Sequence, residues 1–188
     1  MEMNFKIILI IFWLVGGLNN PLITSYEILN DGFLVESVDH APLNIIEKKI
    51  QGKVIKIADG DTFTMIFDND FDVRVRLNGI DCPEKNQPFS KRAKQLLSDF
   101  IFGKMVVVKY KEKDRYGRVI GDVYIDGLHV NYEMVKLGLA WHFKRYSDDD
   151  KLDSLEKDAR YKRIGIWSNK NPIPPWEWRK GTRPIKSN

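Results

Sequence analysis

The chain has 188 residues, 43% of them hydrophobic, and a formal net charge of +4, which leaves room for one domain with a substantial core but not comfortably for two. A lone cysteine, Cys82, excludes an internal disulfide, and with three scattered histidines, His40, His129 and His142, it makes a zinc cluster a poor reading. Charge is unevenly spread: between Asn19 and Glu47 every charged residue is an acid, whereas from Lys48 onward 29 Lys and Arg face 20 Asp and Glu, a basic body that either attracts polyanions or simply keeps the surface soluble.

In chain order, Lys6 precedes an apolar run from Ile7 to Val15 that ends at Gly16 and Gly17. That run falls well short of the roughly 20 residues of a membrane-spanning helix, so residues 1–18 are expected to be a signal peptide or a short membrane anchor. A secreted, periplasmic or cell-envelope location follows. Residues 19–48, with Pro21, Pro42 and an Asn30-Asp31-Gly32 turn but no clear period, are expected to be an acidic linker or arm. The globular domain is expected over 49–170, with a basic Pro/Trp-containing tail at 171–188.

Short runs rich in Val, Ile, Phe and Tyr then predict five strands, Ile50 to Ile57, Thr62 to Phe67, Phe71 to Ile80, Met105 to Lys111 and Val119 to Ile125. Asp68, Asn69 and Asp70 predict the hairpin turn between the second and third. In the third strand Val73, Val75 and Leu77 share one face and Arg74, Arg76 and Asn78 the other, because side chains alternate. One face builds core and the other is free for chemistry. Between the third and fourth strands Ala93, Leu96, Leu97, Phe100 and Ile101 follow a helical stripe, with Ser90 able to cap it and Gly103 ending it. A second helix is predicted over Asn131 to Leu137, ended by Gly138. A third is predicted from Ser147 through Leu152, Leu155 and Ala159 to near Gly165, its acids Asp148, Asp149 and Asp150 suiting a helix N-terminus. Five strands with one helix inserted after the third and two more at the end is an α+β order, mainly β, and matches an OB-type barrel with about three helices. Periodicity yields the elements but not the closure of the barrel.

Three short segments carry candidate chemistry. Asp59-Gly60-Asp61-Thr62 is either a turn or a loop aiming one carboxylate into a metal site. Arg76 is followed by Asp81-Cys82-Pro83-Glu84, two carboxylates three apart on a loop stiffened by proline, which suits one as ligand and one as base, or both as solvated loop acids. Asp114-Arg115-Tyr116-Gly117-Arg118 opens the fifth strand and, taken alone, reads as a hairpin turn with exposed positive charge. Arg115 and Tyr116, with Tyr146 beside Lys144 and Arg145, are candidate substrate contacts, since aromatics next to bases can stack nucleobases for about 1–3 kcal/mol each. Packing is the alternative. His142 reads as structural, and Trp141, Trp167, Trp176 and Trp178 as core or tail-docking residues.

The three segments together, in this order and spacing, resemble the staphylococcal-nuclease-like (thermonuclease) family over about Lys49 to Trp167, helped by Gly138-Leu139-Ala140 and Ile166-Trp167. Several family members also share a tail like Pro174-Pro175-Trp176-Glu177-Trp178-Arg179-Lys180. The resemblance implies one Ca²⁺ held by Asp61, Asp81 and the carbonyl of Cys82, with Glu84 as general base and Arg76 and Arg118 as catalytic arginines. It implies a monomeric endonuclease acting on DNA and RNA and leaving 3′-phosphate ends. The cysteine stands where many members carry threonine or another small residue, a change that a backbone ligand tolerates. Counted from Gly138-Leu139-Ala140, one tyrosine of the type member falls on Lys144 and the next on Tyr146. The rival reading is a non-catalytic OB-fold module that binds single-stranded nucleic acid, and the presence of Asp61, Arg76, Asp81, Glu84 and Arg118 favours the enzyme.

Overall fold

The β-branched and aromatic runs after Lys48 fold as strands that alternate inward and outward. A computed structural model describes residues 25–28, 34–37, 48–67 and 71–184. The expected signal or anchor segment at 1–18 and the turn at 68–70 lie outside the described residues. The chain divides into two units, Met1–Ile45 and Ile46–Asn188. In the first, β1 (Ser25–Ile28) pairs antiparallel with β2 (Leu34–Ser37), so the arm carries regular backbone pairing that its irregular sequence does not announce.

The second unit holds β3 (Lys48–Ile57), β4 (Thr62–Phe67), β5 (Phe71–Leu77), β6 (Ile80–Asp81), α1 (Ser90–Ile101), β7 (Met105–Lys113), β8 (Val119–Ile125), β9 (Leu128–His129), α2 (Val130–Lys136), β10 (Trp141–His142), α3 (Asp150–Tyr161) and α4 (Pro175–Arg179). The sheet runs β5-β4-β3-β7-β8-β9, and a parallel pairing of β5 with β8, Val75 opposite Val119 and Leu77 opposite Gly121, closes five strands into a barrel. Phe67 lies opposite Phe71 at the β4–β5 hairpin. The expected OB-type α+β architecture is therefore present, with four α-helices among the described residues where the sequence reading expects about three.

Inward-facing Val54, Phe63, Met65, Val75, Leu77, Val106, Val108, Val119 and Val123 fill the barrel, and Ala93, Leu97 and Ile101 of α1 and Met134 of α2 join the same core. Each fully buried side chain of this size contributes about 1.5–3 kcal/mol. A second cluster gathers Trp141, Ala159, Ile166 and Trp167, with Trp176 packed against it. Arg160 lies over Trp167 at 3.9 Å and over Trp141 at 4.9 Å, so the tryptophans are occupied by core and cation–π contacts.

Several boundaries differ from the sequence reading, and the larger shifts have local reasons. The third strand stops at Leu77, not Ile80, because Asn78 and Gly79 turn the chain, Gly79 at φ 70°. Ile80 and Asp81 then pair with Trp141 and His142 in a separate ladder. Ser90 is the first residue of α1 rather than its cap. Phe89 caps it in a left-handed conformation with no side-chain bond. The third helix begins at Asp150 and ends at Tyr161, because Asp149 accepts from the N–H groups of Lys151 (2.7 Å) and Leu152 (3.0 Å). Gly165 opens a short 3-10 turn instead. The tail forms α4, with Pro175 at its first position, where a missing N–H costs nothing.

Asp149 also accepts from the Tyr132 hydroxyl at 2.9 Å, joining α2 to α3. Burial works against its charge, but the Leu152, Tyr132 and Lys151 hydrogen bonds prevail and hold its pKa below the ordinary carboxylate value. Replacing Asp149 with alanine is expected to cost about 1–2 kcal/mol at neutral pH, measured by urea unfolding. A carboxylate whose pKa is depressed by folding stabilises above its unfolded pKa, and that contribution is lost as pH falls through the folded value. Parent and variant should therefore converge in acid. A gap that stays constant on acidification would show that the charge of Asp149 is not what stabilises.

Candidate active site

Three loops meet at one end of the barrel. Asp61 sits between β3 and β4, where the Asp59 carboxylate accepts the Asp61 N–H at 3.2 Å and bends the loop. A Cβ on Gly60 would stand 2.8 Å from Cys82 Cβ and 2.7 Å from Ala93 Cβ. Only glycine lets this loop lie against the Asp81–Glu84 loop and α1. The turn reading and the site reading of Asp59-Gly60-Asp61 therefore describe the same loop.

Asp61 and Asp81 are buried. Asp61 Oδ1 accepts from Arg76 Nη1 at 2.6 Å and from the Thr62 hydroxyl at 3.1 Å, and its Oδ2 accepts the Cys82 N–H at 2.9 Å. Arg76 Nη2 donates to Asp81 Oδ1 at 2.8 Å. One guanidinium thus spans both aspartates. It projects from the outer face of β5 because Val75 and Leu77 turn inward. Burial pushes the Asp61 carboxyl up to about 6, opposed by Arg76 and assisted by Asp59. Burial disfavours the Arg76 charge, yet Asp61 and Asp81 outweigh it and raise its pKa.

Glu84 stands on the loop between β6 and α1, its side chain 38% exposed. It is joined to Asp81 by a residue that sequence reasoning did not place in the site. Arg179, the last residue of α4, donates from Nη2 to Asp81 Oδ2 at 2.7 Å and from Nη1 to Glu84 Oε1. These two carboxylates, with the hydrogen bonds they accept, raise its pKa against the cost of burial. Asp61, Arg76, Asp81, Arg179 and Glu84 form an unbroken chain of alternating charge.

Arg118 is not part of that chain. It binds Asp114 Oδ2 through Nε and Nη2, both at 2.7 Å, across the hairpin between β7 and β8. Hydrogen bonds from Arg118 and Tyr116 outweigh burial and lower the Asp114 pKa. Tyr116 is exposed and flanked by Arg115 at 4.8 Å and Arg118 at 5.6 Å. Tyr146, also exposed, meets Phe143 edge-on and carries Arg145 over its ring. Even so, every sequence-designated site residue except buried Asp81 lines one groove of about 1860 Å³, and Arg179 lines it too. His142 is buried, with Nε2 3.1 Å from the Ser147 carbonyl oxygen, and belongs to the fold. The Cys82 thiol is buried, and its pKa is raised by desolvation and then by the neighbouring aspartates.

Among the described residues no three His, Cys, Asp or Glu side chains gather closely enough to hold an ion alone. The acids nonetheless fit a hard cation in chemistry. Asp61 and Asp81 are buried oxygen donors that share the Arg76 guanidinium, Asp81 is bound by Arg179 as well, the Asp61 pKa is raised by desolvation, and the Cys82 N–H donates to Asp61 Oδ2. Two carboxylates with backbone oxygen and water is a donor set calcium accepts.

A family model described as staphylococcal nuclease homologue matches residues 74–169. An uncharacterized endonuclease of Escherichia coli is 42% identical over 131 residues, covering 69% of this chain and 85% of that protein. A micrococcal nuclease of Shigella flexneri is 40% identical over 144 residues, covering 71% of this chain and 82% of that protein. A staphylococcal-like nuclease of Arabidopsis thaliana is 46% identical over 110 residues, covering 58% of this chain and 34% of that protein.

Proposed function

This chain belongs to the staphylococcal nuclease family and is a nuclease, and from that premise we propose that it is an exported, calcium-dependent endonuclease that hydrolyses phosphodiester bonds of DNA and RNA and leaves 3′-phosphate ends. The observation that carries the reading is the gathering of three acids and two guanidiniums beside a groove whose lining also bears Arg118 and Tyr116.

Hydrolysis of a phosphodiester needs a nucleophilic water, neutralisation of charge on the phosphoryl oxygens and a path for the leaving oxygen. Glu84 is exposed enough to meet water and is held by Arg179, so it serves as the base that takes the water's proton; as the water oxygen bonds to phosphorus the P–O5′ bond breaks, and the departing 5′-oxygen takes a proton from solvent water in the groove. Arg76 and Arg118 offer planar forks to phosphate oxygens, and their hold strengthens as charge builds in the transition state. Asp61, Asp81 and the Cys82 carbonyl would hold Ca²⁺, which when bound supplies Lewis-acid polarisation and a template for the phosphate. Arg115, Tyr116 and Tyr146 offer stacking surfaces and positive charge to the flanking nucleotides. The excess of basic residues from Lys48 onward attracts the polyanion to the groove. Residues 1–18 direct export as a signal peptide or short anchor, which cell fractionation will test.

Protein lacking residues 1–18 is expected to degrade both single-stranded DNA and RNA when calcium is added and to stop when a chelator is present. The ends should be 3′-phosphates, which a 3′-phosphatase converts into substrates for polymerase extension. Undiminished cutting in chelator would remove calcium from the reading.

A further inference from the structure

The C-terminal helix lies outside the barrel strands, yet its last residue reaches the centre of the acid cluster. Arg179 spans Asp81 and Glu84, with Nη2 on Asp81 Oδ2 at 2.7 Å and Nη1 shared between Glu84 Oε1 and Asp81 Oδ1, the latter at 3.3 Å. The same tail also holds the Glu84 backbone. The Glu84 N–H donates to Gln87 Oε1 at 2.8 Å, and Gln87 Nε2 donates to the Ile173 carbonyl at 2.7 Å. Gln87 is buried, so this bridge has little competition from water. Trp176 lies flat on Phe143, ring centroids 5.2 Å apart, and edge-on to Trp141, which sets where α4 sits.

Glu84 has no helix or strand of its own to orient it, and a half-exposed glutamate samples several rotamers. Arg76 fixes Asp81 to Asp61 by spanning them, and Arg179 repeats that arrangement one step on. We infer that the segment Ile173–Arg179 is an integral part of the active site and that Arg179 is a positioning residue, holding the Glu84 carboxylate in register with Asp81. This rests on Glu84 acting as the base. A guanidinium suits the task because its planar fork presents separate N–H groups to two carboxylates at once, which an ammonium cannot match in fixed geometry. Misplacing a reacting group by about 1 Å can cost up to roughly 10²-fold in rate, so a loose Glu84 is a slow Glu84.

The test is a double-mutant cycle on full-length protein with Arg179→Ala, Glu84→Gln and the pair, using a single-stranded DNA oligonucleotide and calcium. Affinity for the same oligonucleotide is measured separately in chelator, and melting temperatures report folding. Arg179→Ala is expected to lower kcat by roughly tenfold or more, with KM and chelator-state affinity within about twofold. Arg179→Lys should recover only part of the loss. In the Glu84→Gln background the same alanine substitution should cost less than about twofold, because the group it positions no longer acts. An equal loss in both backgrounds, or a loss of affinity in proportion to the rate, would place Arg179 on the phosphate or in the fold and overturn the inference. Parental activity in Glu84→Gln alone would overturn the base reading and this one together, whereas a slow Glu84→Gln with an additive cycle overturns only this one. If the alanine variant melts below the assay temperature, the cycle is run with Arg179→Lys, with non-additivity supporting the inference and additivity overturning it.

Discussion

Replacing Arg76 with alanine is expected to slow cleavage by about 10³-fold and to destabilise the calcium-free protein by about 3 kcal/mol. Both effects have one origin. Arg76 bonds Asp61 at 2.6 Å and Asp81 at 2.8 Å, and the Asp61 and Asp81 side chains are 5% and 1% exposed. Without it two buried carboxylates lose a partner and Asp61, already pushed up to about 6 by burial, loses the charge that opposes that rise. For a domain of this size about 3 kcal/mol is roughly a 10 °C fall in melting temperature. The rate loss is larger because the same guanidinium is lost to the phosphoryl oxygens at the moment charge accumulates there. Adding calcium should narrow the stability gap, since a divalent cation beside the aspartates restores positive charge. Arg76→Lys separates the two effects: it keeps the charge and should recover much of the stability, but it cannot span both carboxylates in a plane and should recover little of the rate. An alanine variant with parental melting temperature would refute the electrostatic account, and one with parental rate would take Arg76 out of the chemistry.

Which parts of this site were legible beforehand depends on how local their cause is. Arg76 faces outward because Val75 and Leu77 face inward, and strand alternation alone states that. Barrel closure is different, for the parallel pairing of Val75 with Val119 joins residues whose sequence environments carry no mark of each other. The sequence reading starts α3 at Ser147, and Asp148, Asp149 and Asp150 all suit a helix N-terminus. Tertiary structure decides, because Asp149 is the one that also receives the Tyr132 hydroxyl from α2. Arg179 was least legible of all. It lies 98 residues from Asp81 and 95 from Glu84, in a five-residue helix with no period long enough to assign a face. The one available sign was the Pro174-to-Lys180 run itself, a dense group of proline, tryptophan and basic residues that reads as docking and turns out to deliver an arginine.

Changing Glu84 to glutamine is expected to lower the cleavage rate by about 10²-fold or more while oligonucleotide binding persists. The substitution keeps the shape of the side chain and one hydrogen-bond acceptor toward Arg179, but the amide cannot take a proton from water. Because Glu84 is 38% exposed and Arg179 retains Asp81, the fold should lose less than about 1 kcal/mol, as for an exposed ion pair. A large rate effect without a stability effect is then diagnostic, because Arg76 is expected to show both. If the carboxylate instead served only to anchor α4, the glutamine variant would loosen the tail, lower the melting temperature and leave the remaining rate sensitive to Arg179. A variant that cuts as fast as the parent would transfer the base role elsewhere, and neither Asp61 nor Asp81 is a ready substitute, since their side chains are only 5% and 1% exposed where that of Glu84 is 38% exposed. Within this cluster, water has easy access to the carboxylate of Glu84 alone, and the arginine that binds that carboxylate comes from the tail.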